Sequence, residues 1–187
     1  FGAYLSGLLP LLGVALLFFL WNFCNAQARG VQSLTDTAPM SRGRYQLTKY
    51  LAALTAWLSL AGLTIALGIG FLWALFGDVV PVISLLAVTV VTLLPPVALL
   101  LGIGAVAGNL CSWALFPLMA LAFGAGFLPG DFYEASLFGE YPLTLGVLDP
   151  AFSMPPSVAI TKLVVLLIGA GLLFLSTVSK RVGLRRN

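Results

Sequence analysis

Charge is what this chain has least of. Only 8% of its residues are charged and 60% are hydrophobic, whereas a soluble domain carries roughly 25% charged residues. Mean hydropathy is +1.08. A water-compatible surface is therefore excluded, and the composition is that of an integral membrane protein. Histidine is absent altogether, which removes histidine-ligated haem, imidazole-ligated zinc and histidine proton relays. The two cysteines, Cys24 and Cys111, stand in apolar stretches with no CxxC spacing, so neither a disulfide framework nor a metal site is indicated. No GxxxxGKS/T run and no glycine-rich loop after a strand occurs, so the chain has no nucleotide site of its own. The net charge of +3 is too small and too scattered for nucleic acid.

What is present is a series of long apolar runs. They are continuous over about 20 residues or more, as a spanning helix requires, and lack the apolar–polar alternation of a transmembrane β-strand. In lipid each backbone N–H and C=O must be satisfied within its own segment, which helices do. The expected class is all-α: a polytopic transmembrane helical bundle with five spans, over about 4–25, 47–76, 82–105, 110–127 and 158–178. Pro10 lies near the outer end of the first span and Pro117 inside the fourth. Gly77-Asp78 and Gly108-Asn109 mark turns, and Pro95-Pro96 is expected to kink or break the third span, because two successive residues lack N–H donors. Residues 128–157, rich in proline, glycine and aromatics, form an outer loop, and residues 179–187 a basic tail. The chain opens at Phe1, already inside an apolar run, which reads as a fragment of a longer sequence.

Charge orients these spans. With five crossings, residues 26–46, the Gly108 turn and the tail share one side, which collects Arg29, Arg42, Arg44, Lys49, Lys180, Arg181, Arg185 and Arg186. The other side collects five of the six acids and Lys162 alone among the cations. The positive-inside rule places the basic side in the cytoplasm, and the expected location is a bacterial inner (plasma) membrane.

Within the spans, ionisable side chains are nearly missing, and such residues are the usual mark of intramembrane chemistry. No paired carboxylates or activated nucleophile is visible, so an enzyme is not expected. Lys162 either snorkels to the outer interface or meets an anionic substrate or headgroup. Neutral polar residues (Asn22, Thr55, Ser59, Thr64, Thr89, Thr92, Asn109, Ser112) commonly join helices or bond back to their own helix. Pro95-Pro96 is either a packing kink or a source of freed carbonyls lining a cavity. Asn22, Thr89, Thr92, Pro95, Pro96 and Lys162 are the candidate lining of a substrate path.

The segment from Asn25 to Lys49 is patterned beyond what a connection needs, since bundle connections usually take about 2–8 residues. Val31, Leu34 and Ala38 fall at helical spacing, with Gln32, Ser33 and Asp36 on other faces, which predicts a short amphipathic helix. Pro39 stops it, and Ser41 suits the N-cap of the next helix. The result is a rigid elbow rather than a loose loop, suited to docking on another protein.

The run Arg29-Gly30, Leu34, Thr37-x-Pro39-x-Ser41-Arg42, Tyr45 and Lys49 resembles the cytoplasmic loop of type-2 ATP-binding-cassette exporter permeases. In that family the loop lies between the second and third of six spans and holds the coupling helix that contacts a separate ATPase subunit. Essentially the whole chain fits the resemblance: one span before the loop, four after it, a long outer loop before the last span, and a basic tail. Thr48 stands where the family often has glycine. By the same pattern a first span precedes Phe1.

The resemblance implies a permease subunit that moves a hydrophobic or amphiphilic substrate by alternating access. Expected partners are an ATPase subunit on the cytoplasmic face, a second permease subunit and the lipid bilayer. ATP and Mg belong to the ATPase, and no cofactor is expected on this chain. Val31, Leu34 and Ala38 would enter an apolar groove on the ATPase, with Gln32, Asp36, Arg42 and Arg44 as the polar rim. Two other readings stand beside it: part of a gradient-driven secondary transporter, which needs a broken helix or buried acids near the midplane, and a non-transporting anchor or assembly factor.

Overall fold

The computed structural model describes residues 2–24, 42–77, 82–125 and 156–182. Every element there is helical: α1 (Gly2–Cys24), α2 (Arg42–Phe76), α3 (Val82–Leu110), a 3-10 turn (Ser112–Ala114), α4 (Leu115–Ala125) and α5 (Pro156–Val182). Among the described residues, α1, α2, α3 and α5 are long and apolar enough to cross a membrane. The elbow predicted between α1 and α2, including the Ser41 cap, lies outside the described residues, as does the loop expected at 128–157 except for its last two residues, which open α5.

Apolar spacing decides how α1 and α2 meet. In α1, Leu5, Leu9, Leu12, Leu16 and Leu20 are buried, and in α2 the buried positions are Gln46, Tyr50, Ala53, Trp57 and Ala61. Both sets advance by three or four residues, so each forms one stripe on a helix. Small residues at 53 and 61 leave room for leucines opposite. Two hydrogen bonds fix the pair as antiparallel. The Trp57 indole N–H donates to the Leu12 carbonyl at 2.8 Å, and the Tyr4 hydroxyl donates to the Thr64 carbonyl at 2.7 Å. The Tyr4 ring lies over Gly68, where a Cβ would collide with it. Beyond Ala61 the outward half of α2 buries no residue.

Helix α3 is the axis of the bundle. It packs between α1 and α5, and its contact with α5 is the most extensive in the molecule. A Cβ at Gly104 would strike Leu17 and Leu20 of α1, and one at Gly108 would press on the Cys24 sulfur. Toward α5 the approach is backbone to backbone. A Cβ at Gly102 would meet the Gly169 carbonyl, and one at Gly169 would stand on the Ala98 carbonyl group. Close approach of this kind is how apolar helices gain contact in lipid, where burial from water supplies no drive between them. In the spanning windows of α1 and α3, 44% and 50% of residues are buried; in α2 and α5 the shares are 6% and 11%. Thus α1 and α3 are the inner helices and α2 and α5 the outer ones.

Three expectations are modified. First, α3 continues unbroken through Pro95-Pro96. Both prolines are buried, and unwinding the helix there would leave further backbone groups unbonded in an apolar surrounding. Second, α3 runs to Leu110 and turns at Cys111, whose backbone is extended. Gly108 serves packing against Cys24 instead of a turn. Third, the run expected as a span at 110–127 opens with the 3-10 turn before α4, which is described as far as Ala125. Pro117 falls in the first turn of α4, where its missing N–H breaks no helical bond. At the end of α2, Gly77 adopts φ +60°, the left-handed geometry that closes a helix without the Cβ penalty.

The α3–α5 contact yields a test inside one helix. Gly169→Ala places a methyl against backbone that has no rotamer to yield, and should destabilise by about 1–3 kcal/mol. Gly171→Ala, with nothing within 4 Å of its new Cβ, should leave stability unchanged. Melting curves of both variants in detergent read the difference.

Candidate functional site

One end of the bundle gathers the ends of four helices. α1 finishes there at Cys24, and α2 begins there because it runs antiparallel to α1. α3 finishes there, since Gly108 lies against Cys24 and Asn109 against Tyr50. α5 lies parallel to α3 through the Gly169–Ala98 contact and brings Ser176 to the same end. Residues 25–41 therefore leave and re-enter the bundle at this Cys24 end. Arg42, Arg44, Lys49, Lys180 and Arg181 belong to the helix segments at that end. Among the described residues there is no acid to offset them.

A polar cluster lies just inside this end. The Asn109 side-chain amide donates to the Tyr50 hydroxyl oxygen at 3.1 Å. The Ser176 hydroxyl lies near the same phenol and donates to the Leu173 carbonyl at 2.8 Å. One turn before Tyr50 on the buried stripe of α2 stands Gln46, only 8% exposed. Its amide oxygen is buried and has no hydrogen-bond partner among the described residues. A buried acceptor without a partner costs about 1–3 kcal/mol, so this atom is out of keeping with the bundle around it. Beside the cluster, the Ser112 hydroxyl donates to the Cys24 carbonyl at 2.5 Å and fastens the 3-10 turn to the end of α1.

Aromatic rings mark the level of this end. Trp21 packs edge-on against Phe116, with ring centroids 5.3 Å apart, and Phe116 against the exposed Trp113 at 5.6 Å. Tyr4 stands near the other end of α1, 17 residues before Trp21, or about 26 Å along the helix. Half-exposed aromatic side chains at both ends of an apolar helix are the pattern of interfacial anchors.

The other polar residues of the spans divide cleanly. Thr55, Ser59, Thr64 and Thr89 all donate to carbonyls three or four residues back in their own helices. Asn109 and Ser112 join different elements.

The proposed docking residues Val31, Gln32, Leu34, Asp36 and Ala38 lie outside the described residues. Arg42 and Arg44 form the first turn of α2. Of the candidate path residues, Thr89, Thr92, Pro95 and Pro96 are buried along α3. Lys162 is half-buried on α5, seven residues before Gly169, as Thr92 is six before Ala98. The two therefore lie at similar depth on neighbouring parallel helices. Asn22 is exposed at the Cys24 end, away from the others. Thr89 also lines an apolar groove of about 420 Å³ between residues 54–69 of α2 and 86–97 of α3. Sequence reasoning passed over Gln46, Tyr50 and Ser176. Their one signal is the spacing of Gln46 and Tyr50, four residues apart on the face that also carries Trp57.

Among the described residues no group of three metal-ligating side chains occurs. The cluster holds amides and hydroxyls only, so its chemistry is to position helices. No family model, curated protein or solved structure matches this chain.

The geometry sets an accessibility contrast. Cys111 is exposed and Cys24 buried, so a membrane-impermeant maleimide should label Cys111 alone in sealed vesicles. It should do so only from the side that also exposes a tag on the C-terminus. Labelling of Cys111 from the opposite side would show that α3 and α5 do not end together.

Proposed function

We propose that the chain is the membrane permease subunit of an ATP-binding-cassette exporter, with residues 26–46 as the coupling segment and the Cys24 end facing the cytoplasm of a bacterial inner membrane. The observation that carries this reading is the gathering of α1, α2, α3 and α5 termini at one end together with the cations and the patterned 25–49 run. A segment that leaves one helix and enters the next at a single face can push on both. The remaining helix ends lie beside it to receive the motion.

Five crossings are part of this proposal. α3 ends at the Cys24 end while its parallel neighbour α5 begins at the other, so the chain between them must cross once more. α4, the described part of that stretch, packs along α1. ATP and Mg act on the partner ATPase, whose closure the elbow would convert into alternating access between two permease subunits. Val31, Leu34 and Ala38 insert into the ATPase, with Gln32, Asp36, Arg42 and Arg44 around them. The path residues Thr89, Thr92 and Lys162, set at comparable depth among apolar side chains, fit a hydrophobic or amphiphilic cargo.

The gradient-driven alternative leaned on a broken helix, and α3 is continuous through Pro95-Pro96. Among the described residues no acid lies within a span. The continuity of α3 takes that support from the gradient-driven alternative.

The deciding experiment is co-purification of the full-length protein with its native neighbours in mild detergent. An ATPase subunit should accompany it and be lost when residues 31–38 are scrambled. Leu34→Asp should reduce transport-coupled ATPase activity by more than tenfold, with insertion and dimerisation retained. Full coupling in Leu34→Asp would remove the docking assignment, and the lack of any ATPase partner would remove the exporter reading itself.

A further inference from the structure

The unpartnered Gln46 oxygen points to a second arrangement of the bundle. A buried side-chain amide whose oxygen has no partner is retained at a cost, and a leucine there would fill similar volume without it. Gln46 and Tyr50 lie one turn apart on the same buried stripe of α2. Tyr50 accepts from the Asn109 amide; Gln46 offers an equivalent acceptor about 5–6 Å along the helix. Asn109 thus faces a helix that carries two alternative acceptors in register.

The packing of α2 permits such an exchange. α2 touches α3 only slightly, and the groove between residues 54–69 and 86–97 separates them over much of their length. Residues 53 and 61 of the stripe are alanines, and Trp57 between them holds α2 to α1 through a main-chain carbonyl, an acceptor that recurs one turn away along α1. By contrast α3 is locked to α1 and α5 through Gly104, Gly108, Gly102 and Gly169. Force applied at the start of α2 therefore moves α2 against a fixed α3–α5 pair.

We propose that Asn109 exchanges its hydrogen bond between Tyr50 and Gln46 as α2 shifts by up to one turn, so that these three residues form a two-position latch at the end of the bundle next to residues 25–41. Tyr50 and Gln46 are positioning residues, Ser176 supports the phenol in the first position, and the partnerless oxygen of Gln46 belongs to the position not occupied in this structure. One-turn steps of this kind give packed elements two discrete states instead of a continuum. The latch rests on the exporter reading for its driving force, which would come from the ATPase through residues 25–41. Its two positions are a property of the chain alone.

The test uses Gln46→Leu and Tyr50→Phe. If Gln46 were a packing residue only, Gln46→Leu would remove an unsatisfied acceptor, leave the melting temperature equal or higher and leave transport intact. The latch requires a different pair of results: a melting temperature equal or higher, with transport per ATP reduced by tenfold or more. The readout of position is the distance between spin labels at Leu47 and Leu110, both exposed, in a Cys111→Ala background in nanodiscs. The unsubstituted latch should give two distance populations, with Gln46→Leu leaving the one seen in this structure and Tyr50→Phe favouring the other. Transport by Gln46→Leu at the wild-type ratio, or a single distance that neither variant alters, would overturn the proposal. If no ATPase partner is found, the exporter reading fails, and the label distances in the isolated chain still decide the latch by the same two outcomes.

Discussion

The contact between α3 and α5 at Gly102 and Gly169 is the constraint on which the remaining packing depends. Two helices whose backbones touch leave no room for side chains between them, so their relative depth and direction are fixed together. Because α3 also receives Leu17 and Leu20 of α1 over Gly104, the three helices share one register. In lipid this matters more than in water. Apolar side chains gain little by leaving lipid tails for one another, and the gain must come from close packing. The glycines of α3 are placed where that packing is tightest, whereas the outward half of α2 is held by the Tyr4 side chain on Thr64 and Gly68.

The scarcity of polar side chains makes their placement informative. Most hydroxyls of the spans bond back to their own helices, which satisfies them without committing the helix to a neighbour. Bonds between helices are few. Tyr4 and Trp57 bind α2 to α1 through backbone carbonyls, whereas Asn109 and Tyr50 bind α2 to α3 through side chains. A side-chain pair can exchange partners by rotation and a small axial step. A carbonyl within a helix has neighbours of the same kind one turn away, so bonds to it also tolerate a step. Both kinds of tether hold α2 in place and still allow discrete movement along its axis.

The helical class and the approximate spans were legible from composition and run length alone, since continuous apolar stretches in lipid have one stable backbone form. Pro95-Pro96 read as a break because proline removes two helical bonds; in the bundle the same residues are buried within a continuous α3. Gly108-Asn109 read as a turn by residue type, but the pair serves two contacts, Gly108 beneath Cys24 and Asn109 on Tyr50. Helix-to-helix pairing has no local signature, so the antiparallel register of α1 and α2 and the Gly102–Gly169 contact could not be read in advance. The polar cluster was half visible. Asn109 stands out as a polar residue of an apolar run, while Gln46, at the margin of a basic segment, carries no signal of its own beyond its spacing from Tyr50. The docking residues 31–38 rest on their sequence pattern alone.

The division into a rigid core and a looser outer helix bears on how force could pass through such a bundle. A helix buried on all sides transmits motion to every neighbour and moves only if the whole core moves. α2 is different: 6% of its spanning window is buried, its first turns adjoin residues 25–41, and a side-chain hydrogen bond ties it to α3 at Tyr50 and Asn109. At 35 residues it extends about 52 Å, well beyond a hydrocarbon core of about 30 Å. Its first two or three turns can therefore stand outside the lipid while the apolar remainder stays within it. An axial step of one turn exchanges one apolar residue for another along most of that length and changes little in contact with lipid. The cost of the step is concentrated where the polar side chains are. A membrane helix with a largely apolar surface and few polar contacts has a flat energy along its axis except at those contacts, and the contacts then set where it stops.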